Sequence, residues 1–97
     1  MDKKILVVDD AMFMRSIIRK ILKEAGYTQV WEAQDGEKAM ELFREVSPDL
    51  VLLDITMPGR SGLEVLEEML GLVPNVRVIM CSAVGQEMMI QKALTIG

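Results

Sequence analysis

The sequence contains no histidine and only one cysteine, Cys81. Without histidine, the chain cannot form a Ser-His-Asp triad, use a histidine general base or build a His/Cys zinc site by itself. A lone cysteine allows no internal disulfide, and we expect the protein to reside in a reducing cytoplasm. Chemistry in this chain must therefore depend on carboxylates, hydroxyls, backbone groups or a cation that prefers oxygen ligands.

Long apolar runs and an excess of basic residues are also missing. No run approaches the roughly 20 residues of a membrane span, and the first apolar stretch is too short for a secretory signal. The 11 basic and 15 acidic side chains give a net charge of −4, whereas a protein that binds nucleic-acid phosphates needs a basic face. We therefore expect neither a membrane nor a nucleic acid as a partner.

Apolar residues, by contrast, make up 51% of the 97 positions. This share excludes disorder, and residues 1–97 are predicted to form a single domain around one core. Short runs rich in branched residues, with little alternation, predict strands that are buried on both faces of a parallel sheet. These strands are expected at residues 5–8, 50–53 and 76–80, with a weaker edge strand at residues 30–33.

Amphipathic stretches follow each strand and predict four helices. The apolar stripe of the first helix is expected to face the sheet, and its basic residues are expected to form a solvated face. The stripe is Phe13, Ile17, Ile21 and Ala25, flanked by Ile18 and Leu22, and the basic residues are Arg15, Arg19, Lys20 and Lys23. The other helices are expected within residues 37–46, 61–70 and 86–96. The order βαβαβαβα predicts an α/β fold with a doubly wound parallel sheet.

Polar side chains follow three of the predicted strands, at the sheet edge where functional groups of such folds collect. They are Asp9, Asp10, Asp54 and Ser82. Each has a simpler explanation when it is considered alone: Asp10 could be a helix N-cap, Asp54 a turn residue before Pro58, and Ser82 a loop hydroxyl. Their joint placement is the informative feature.

The carboxylates become significant if the first and third strands are neighbours. Two unit charges about 4 Å apart repel by about 4 kcal/mol at an effective dielectric near 20. Either one carboxylate retains a proton, or Mg²⁺ lies between Asp10 and Asp54. Such a metal site would attract a phosphoryl group, and a carboxylate in line with that group could act as the nucleophile.

Three segments resemble those that characterise response-regulator receiver domains. They are residues 7–10, 54–62 and 80–83, and the stretch Asp-Asp-Ala-Met-Phe-Met-Arg at residues 9–15 is similar to the chemotaxis CheY type. The resemblance extends from residue 3 to residue 97. It implies a flavodoxin-like, CheY-like fold, here with four βα units of the usual five.

The resemblance also implies a role for each site residue. Asp54 would accept a phosphoryl group from a phosphohistidine of a histidine kinase, CheA-like if the pathway is chemotaxis. Mg²⁺ would be bound directly by Asp10, Asp54 and the backbone carbonyl of Thr56, and through water by Asp9. Ser82 would hydrogen-bond the phosphoryl group and begin the conformational switch. The chain would then be a signalling domain that promotes its own phosphorylation and dephosphorylation, rather than an enzyme acting on a separate substrate.

The sequence departs from the family pattern at its end. Receivers continue through a fifth strand, a Lys-Pro pair, an aromatic switch residue and a fifth helix, and this sequence stops at Gly97, before all of them. The fourth strand would then be an unpaired edge, and its far face over residues 76–80 would be uncovered. We therefore expect self-association through that edge or beside the first helix. Binding to a flagellar motor or another effector is expected to be weakened.

Three other functions are compatible with parts of the pattern. The chain could be an assembly module without phosphoryl chemistry. A flavodoxin-like nucleotide binder would need a Gly/Ser/Thr-rich phosphate loop after the first strand, whereas residues 9–12 contain two aspartates and no glycine. A metal-dependent phosphohydrolase typically has a second carboxylate two residues beyond the nucleophile, and Thr56 occupies that position here.

Overall fold

Strands and helices alternate along the chain in this computed structural model, which describes residues 3–55, 57 and 61–81. The elements are β1 (Lys4–Val8), α1 (Met12–Glu24), β2 (Gln29–Ala33), α2 (Gly36–Val46), β3 (Leu50–Asp54), α3 (Gly62–Leu72) and β4 (Arg77–Cys81). The bounds of all four strands lie within one residue of those predicted. The helix predicted at residues 86–96 lies outside the described residues.

The four strands form one parallel sheet in the order β2-β1-β3-β4. The doubly wound α/β fold is therefore confirmed, and β2 is an edge strand as predicted. Strands β1 and β3 are neighbours, with Val8 opposite Leu53, while Asp54 at the end of β3 lies opposite Cys81. The residues that follow β1 and β3 consequently meet at one edge of the sheet.

The main core lies between the sheet and helices α2 and α3. Leu6, Val51 and Met80 contribute buried side chains from the sheet, and Phe43 and Met69 contribute them from the two helices. Alternating side chains of a strand point to opposite faces. A strand that is buried on this face therefore presents its other residues to the α1 side of the sheet.

Helix α1 packs on that second face, but not through the stripe that the sequence predicted. None of its residues is buried, and Phe13 and Ile21 are 75% and 58% exposed. The half-buried residues are Arg15, Ile18 and Leu22. They follow i, i+3, i+7 spacing and so share one face of the helix. The prediction was wrong because helical periodicity identifies an apolar stripe without showing which element covers it.

Strand β4 is also less buried than predicted. Val78 and Met80 are buried on the core side, whereas Arg77 and Ile79 on the other face are exposed. Within the described residues, the burial on both faces that the apolar run indicated is therefore wrong for this strand, whereas the uncovered far face expected of the fourth strand is observed. Among the helices that the structure describes, none is long and apolar enough to cross a membrane.

Candidate functional site

Three aspartates meet at the carboxyl ends of β1 and β3. Asp9, Asp10 and Asp54 each place a carboxylate oxygen within 4.8 Å of those of the other two residues. Asp9 and Asp54 are each only 8% exposed, whereas Asp10 is exposed to solvent. The structure thus brings together three of the side chains that were expected at this edge, and it does so because β1 and β3 are neighbours.

The connection from β1 to α1 fixes the backbone of Asp9. The Asp9 amide donates to the carbonyl oxygen of Ala33 at 3.1 Å, and the Ala11 amide donates to Oδ1 of Asp9 at 2.9 Å. Helix α1 begins at Met12, and its N-cap residue is Ala11, without a side-chain capping bond. The alternative in which Asp10 caps this helix is therefore wrong, so the Asp10 carboxylate is not used to cap α1.

Arg15 contacts this connection and was assigned incorrectly from the sequence. Its Nη1 donates to the carbonyl oxygen of Asp9 at 2.6 Å, and its Nε donates to Oε1 of Glu32 at 3.2 Å. Its side chain is only 11% exposed, so it does not belong to the solvated basic face predicted for α1. The spacing of Arg15 with Ile18 and Leu22 is the sequence signal that could have shown this.

The other side of the site is built by the approach of α3 to the end of β3. The Gly62 amide donates to the carbonyl oxygen of Ile55 at 2.8 Å. A Cβ atom at position 62 would overlap the carbonyl oxygen of Asp54, so only glycine fits here without a shift of the backbone. Sequence periodicity gave no signal for this close approach.

Ser61 and Glu64 form part of a capping box at the start of α3. Oγ of Ser61 accepts a hydrogen bond from the Glu64 amide at 3.2 Å, as expected of a helix N-cap. The carboxylate of Glu64 accepts from the Ser61 hydroxyl at 3.3 Å, rather than from a backbone donor. The cap fixes the start of the helix beside the residues that follow Asp54.

Cys81 lies on β4 beside the acidic cluster. It is opposite Asp54 in the register, and its carbonyl oxygen accepts from the Ile55 amide at 3.1 Å. Burial raises the pKa of the Cys81 thiol, and the negative charges of Asp54 and Asp9 raise this pKa further. The thiol is half-buried, and a raised pKa makes it a poor nucleophile.

The donor atoms of the cluster suit a hard divalent cation. Mg²⁺ prefers oxygen ligands in an octahedron at about 2.0–2.1 Å, which places opposite ligands about 4 Å apart. Carboxylate oxygens that already lie within 4.8 Å of one another need only a small adjustment, or one bridging water, to share such an ion. A bound cation would also offset repulsion of about 4 kcal/mol for each close carboxylate pair.

Two of the predicted site residues lie outside the described residues. They are Thr56, whose carbonyl was expected to bind the metal, and Ser82, whose hydroxyl was expected to contact the phosphoryl group. Their roles remain predictions. Met57, between the undescribed positions of this loop, is buried against the core.

Comparisons with known proteins agree with this architecture. The response regulator receiver domain model matches residues 5–97. The whole chain is 42% identical to the chemotaxis protein CheY of Thermotoga maritima and 46% identical to that of Bacillus subtilis, in each case over 81% of the relative's length. A CheX–CheY–BeF3–Mg²⁺ complex from Borrelia burgdorferi has a chain with a TM-score of 0.89 and 34% identity, which covers 98% of this chain and 72% of that one. This chain therefore belongs to the response regulator receiver domain family.

Proposed function

We propose that residues 1–97 act as one receiver unit of a two-component pathway, in which Asp54 accepts a phosphoryl group in a Mg²⁺-dependent reaction. The observation that carries this proposal is the cluster of Asp9, Asp10 and Asp54 at the ends of two neighbouring strands. Asp10, Asp54 and the Thr56 carbonyl would bind the ion directly, and Asp9 would bind it through water. The bound ion would supply positive charge for the incoming phosphoryl oxygens.

The transfer itself is a displacement at phosphorus. A carboxylate oxygen of Asp54 attacks the phosphorus of a phosphohistidine on the partner kinase, an O–P bond forms, and the N–P bond to the imidazole breaks. The products are an aspartyl phosphate and a free histidine. The position of Asp54 at the end of a central strand supports this role, because the strand fixes its backbone beside the carboxylates of Asp9 and Asp10.

The proposal extends to regulation and partners. Ser82 would hydrogen-bond the phosphoryl group and start the switch, and the domain would promote both its own phosphorylation and its dephosphorylation. A histidine kinase, CheA-like in a chemotaxis pathway, would be the donor, and a flagellar motor or another effector would be the output partner. The CheY names of the relatives support this choice of pathway. We place the reaction in the cytoplasm, where a free thiol such as Cys81 persists.

A second candidate function, assembly through self-association, is favoured by a different observation. The apolar stripe of α1 and Ile79 of β4 are exposed on the same side of the sheet, and β4 is an edge of the sheet among the described strands. Two copies that met beside α1 would bury this apolar surface, and two copies that met through β4 would pair the backbone groups of that edge. This function requires no phosphoryl chemistry and is compatible with the first.

Calorimetric titration with Mg²⁺, followed by beryllofluoride as a phosphoryl mimic, tests the main proposal. We expect saturable Mg²⁺ binding by the wild type, and binding of the mimic only when Mg²⁺ is present. Asp54→Asn should not bind the mimic and should bind Mg²⁺ more weakly than the wild type. Glu67→Gln removes one negative charge from an exposed position on α3 and should leave both events unchanged. Equal binding by the wild type and Asp54→Asn would contradict the proposal.

A further inference from the structure

The backbone of Asp9 is held by contacts from two other elements, one to its amide and one to its carbonyl oxygen, and only the carbonyl belongs to the peptide unit that joins Asp9 to Asp10. On the β2 side, the carbonyl oxygen of Ala33 accepts the Asp9 amide at 3.1 Å. On the α1 side, Nη1 of Arg15 donates to the Asp9 carbonyl oxygen at 2.6 Å. A peptide unit is planar, so fixing its carbonyl oxygen also restricts the direction in which the next residue leaves. The contact from Arg15 therefore helps to set where the backbone of Asp10 lies.

Arg15 is in turn held in place by Glu32 of β2. Oε1 of Glu32 accepts from Nε of Arg15 at 3.2 Å, and Oε2 accepts from Nη1 of Arg19 at 2.8 Å. The side chain of Arg15 is 11% exposed, whereas that of Arg19 is 60% exposed. The rigid guanidinium donates in two directions at once, which a lysine ammonium on its flexible stem does not reproduce in the same geometry.

We propose that Arg15 is a positioning residue. Its guanidinium, held by Glu32, fixes the Asp9–Asp10 peptide unit and thereby sets the affinity of the acidic cluster for Mg²⁺. This inference rests on the proposed function. Mg²⁺ demands near-ideal octahedral geometry, so its affinity is sensitive to small displacements of a ligating carboxylate. Residues that orient metal ligands without touching the metal typically contribute about 10- to 100-fold in affinity.

The charge of Arg15 gives the test a definite sign. A guanidinium close to a cation site repels Mg²⁺, so removal of the charge alone should strengthen metal binding. Loss of positioning should weaken it, because the carboxylate of Asp10 is then no longer held where the octahedron needs it. The two explanations therefore predict opposite changes in Kd for the same substitution.

The experiment is calorimetric measurement of Mg²⁺ Kd, with the unfolding free energy of each variant measured in urea without metal. Arg15→Met should raise the Kd about tenfold, and Arg15→Lys should raise it by a smaller factor. Arg19→Met is the matched control, because Arg19 shares Glu32 but makes no hydrogen bond to Asp9 among the contacts described. Its Kd should change by less than about twofold.

Two outcomes would overturn the inference. One is an Arg15→Met variant that remains folded and binds Mg²⁺ as tightly as the wild type or more tightly. If Arg15→Met is unfolded, Arg15→Lys decides, and an unchanged Kd in that variant would have the same effect. Failure of the wild type to bind Mg²⁺ would be a different result, because it would overturn the proposed function itself and this inference with it.

Discussion

Gly62 lies against the backbone of Asp54 so closely that a Cβ atom at position 62 would overlap the Asp54 carbonyl oxygen and approach the Cα of Ile55 to 2.7 Å. Both neighbouring groups are backbone atoms at the end of a central strand, so they cannot move aside as a flexible side chain would. Gly62→Ala should lower the unfolding free energy by about 1–3 kcal/mol, the usual cost of overpacking. Urea denaturation would measure the loss.

Gly71 provides a matched control for this substitution. It also lies in α3, but a Cβ atom there would meet nothing within 4 Å. Gly71→Ala should raise the unfolding free energy by about 0.5–1 kcal/mol, because alanine loses less backbone entropy than glycine in a helix interior. A similar change in both variants would contradict the close approach of α3 to Asp54.

The sequence predicted the sheet better than it predicted the face of α1. Continuous apolar runs identify the strands directly, and residues 5–8 of β1 are buried as expected, whereas in β3 Val51 and Leu53 are buried and Leu50 and Leu52 are half-buried. The stripe of Phe13 and Ile21 is equally regular, yet it is exposed. Periodicity records that a face is apolar, whereas burial depends on which element packs against it, and this is a property of the tertiary structure.

The sequence likewise predicted which residues form the site better than it predicted the contacts around them. Asp9, Asp10 and Asp54 could be expected at one edge from the sequence, because parallel strands end at the same edge of a sheet. Their close approach depended on the condition that β1 and β3 are neighbours, which the structure meets. The contacts that shape the site could not be predicted from the sequence. The hydrogen bond of Arg15 to Asp9 depends on the rotation of α1, and the space at Gly62 depends on how closely α3 approaches β3.

Asp10→Asn should make the protein insensitive to Mg²⁺ without destabilising the metal-free form. If Asp10 binds the ion directly as proposed, the substitution removes both a negative charge and a ligand, so repulsion falls while metal binding is lost. We expect the Mg²⁺-dependent rise in Tm to disappear and the Tm in a chelator to be equal to or above that of the wild type. Thermal unfolding of both proteins, with and without Mg²⁺, is the measurement. An equal rise in the two proteins would exclude Asp10 as a ligand.

Cys81 should give the protein a component of stability that is lost at alkaline pH. Because its pKa is raised in the folded state, the thiol contributes stability fully below its unfolded-state pKa, and the contribution disappears as the pH rises through the folded-state pKa. The difference in unfolding free energy between the wild type and Cys81→Ala should therefore shrink as the pH rises above the ordinary thiol pKa of about 8.5. Urea denaturation in metal-free buffer would show this, and a difference that grows with pH would contradict the raised pKa.

The exposed apolar surface on the α1 side should support self-association. Phe13→Ser and Ile79→Ser each replace an exposed apolar side chain with a small polar one, so each should weaken any dimer that forms through this surface. Sedimentation velocity at micromolar concentrations would compare them with Leu72→Ser, which alters an exposed apolar residue at the end of α3. If the wild type sediments as a strict monomer with a cooperative melt, assembly through this surface is excluded.

Phosphoryl transfer to Asp54 would leave an acyl phosphate that mass spectrometry can detect and map. The wild type would be incubated with a small phosphodonor in Mg²⁺ or in a chelator, and any acyl phosphate would be trapped by borohydride reduction and mapped to a residue. We predict one Mg²⁺-dependent adduct at Asp54, and none in Asp54→Asn. An adduct of equal yield in Asp54→Asn, or one in the wild type that forms without Mg²⁺ at another residue, would show that Asp54 is not the Mg²⁺-dependent phosphoacceptor.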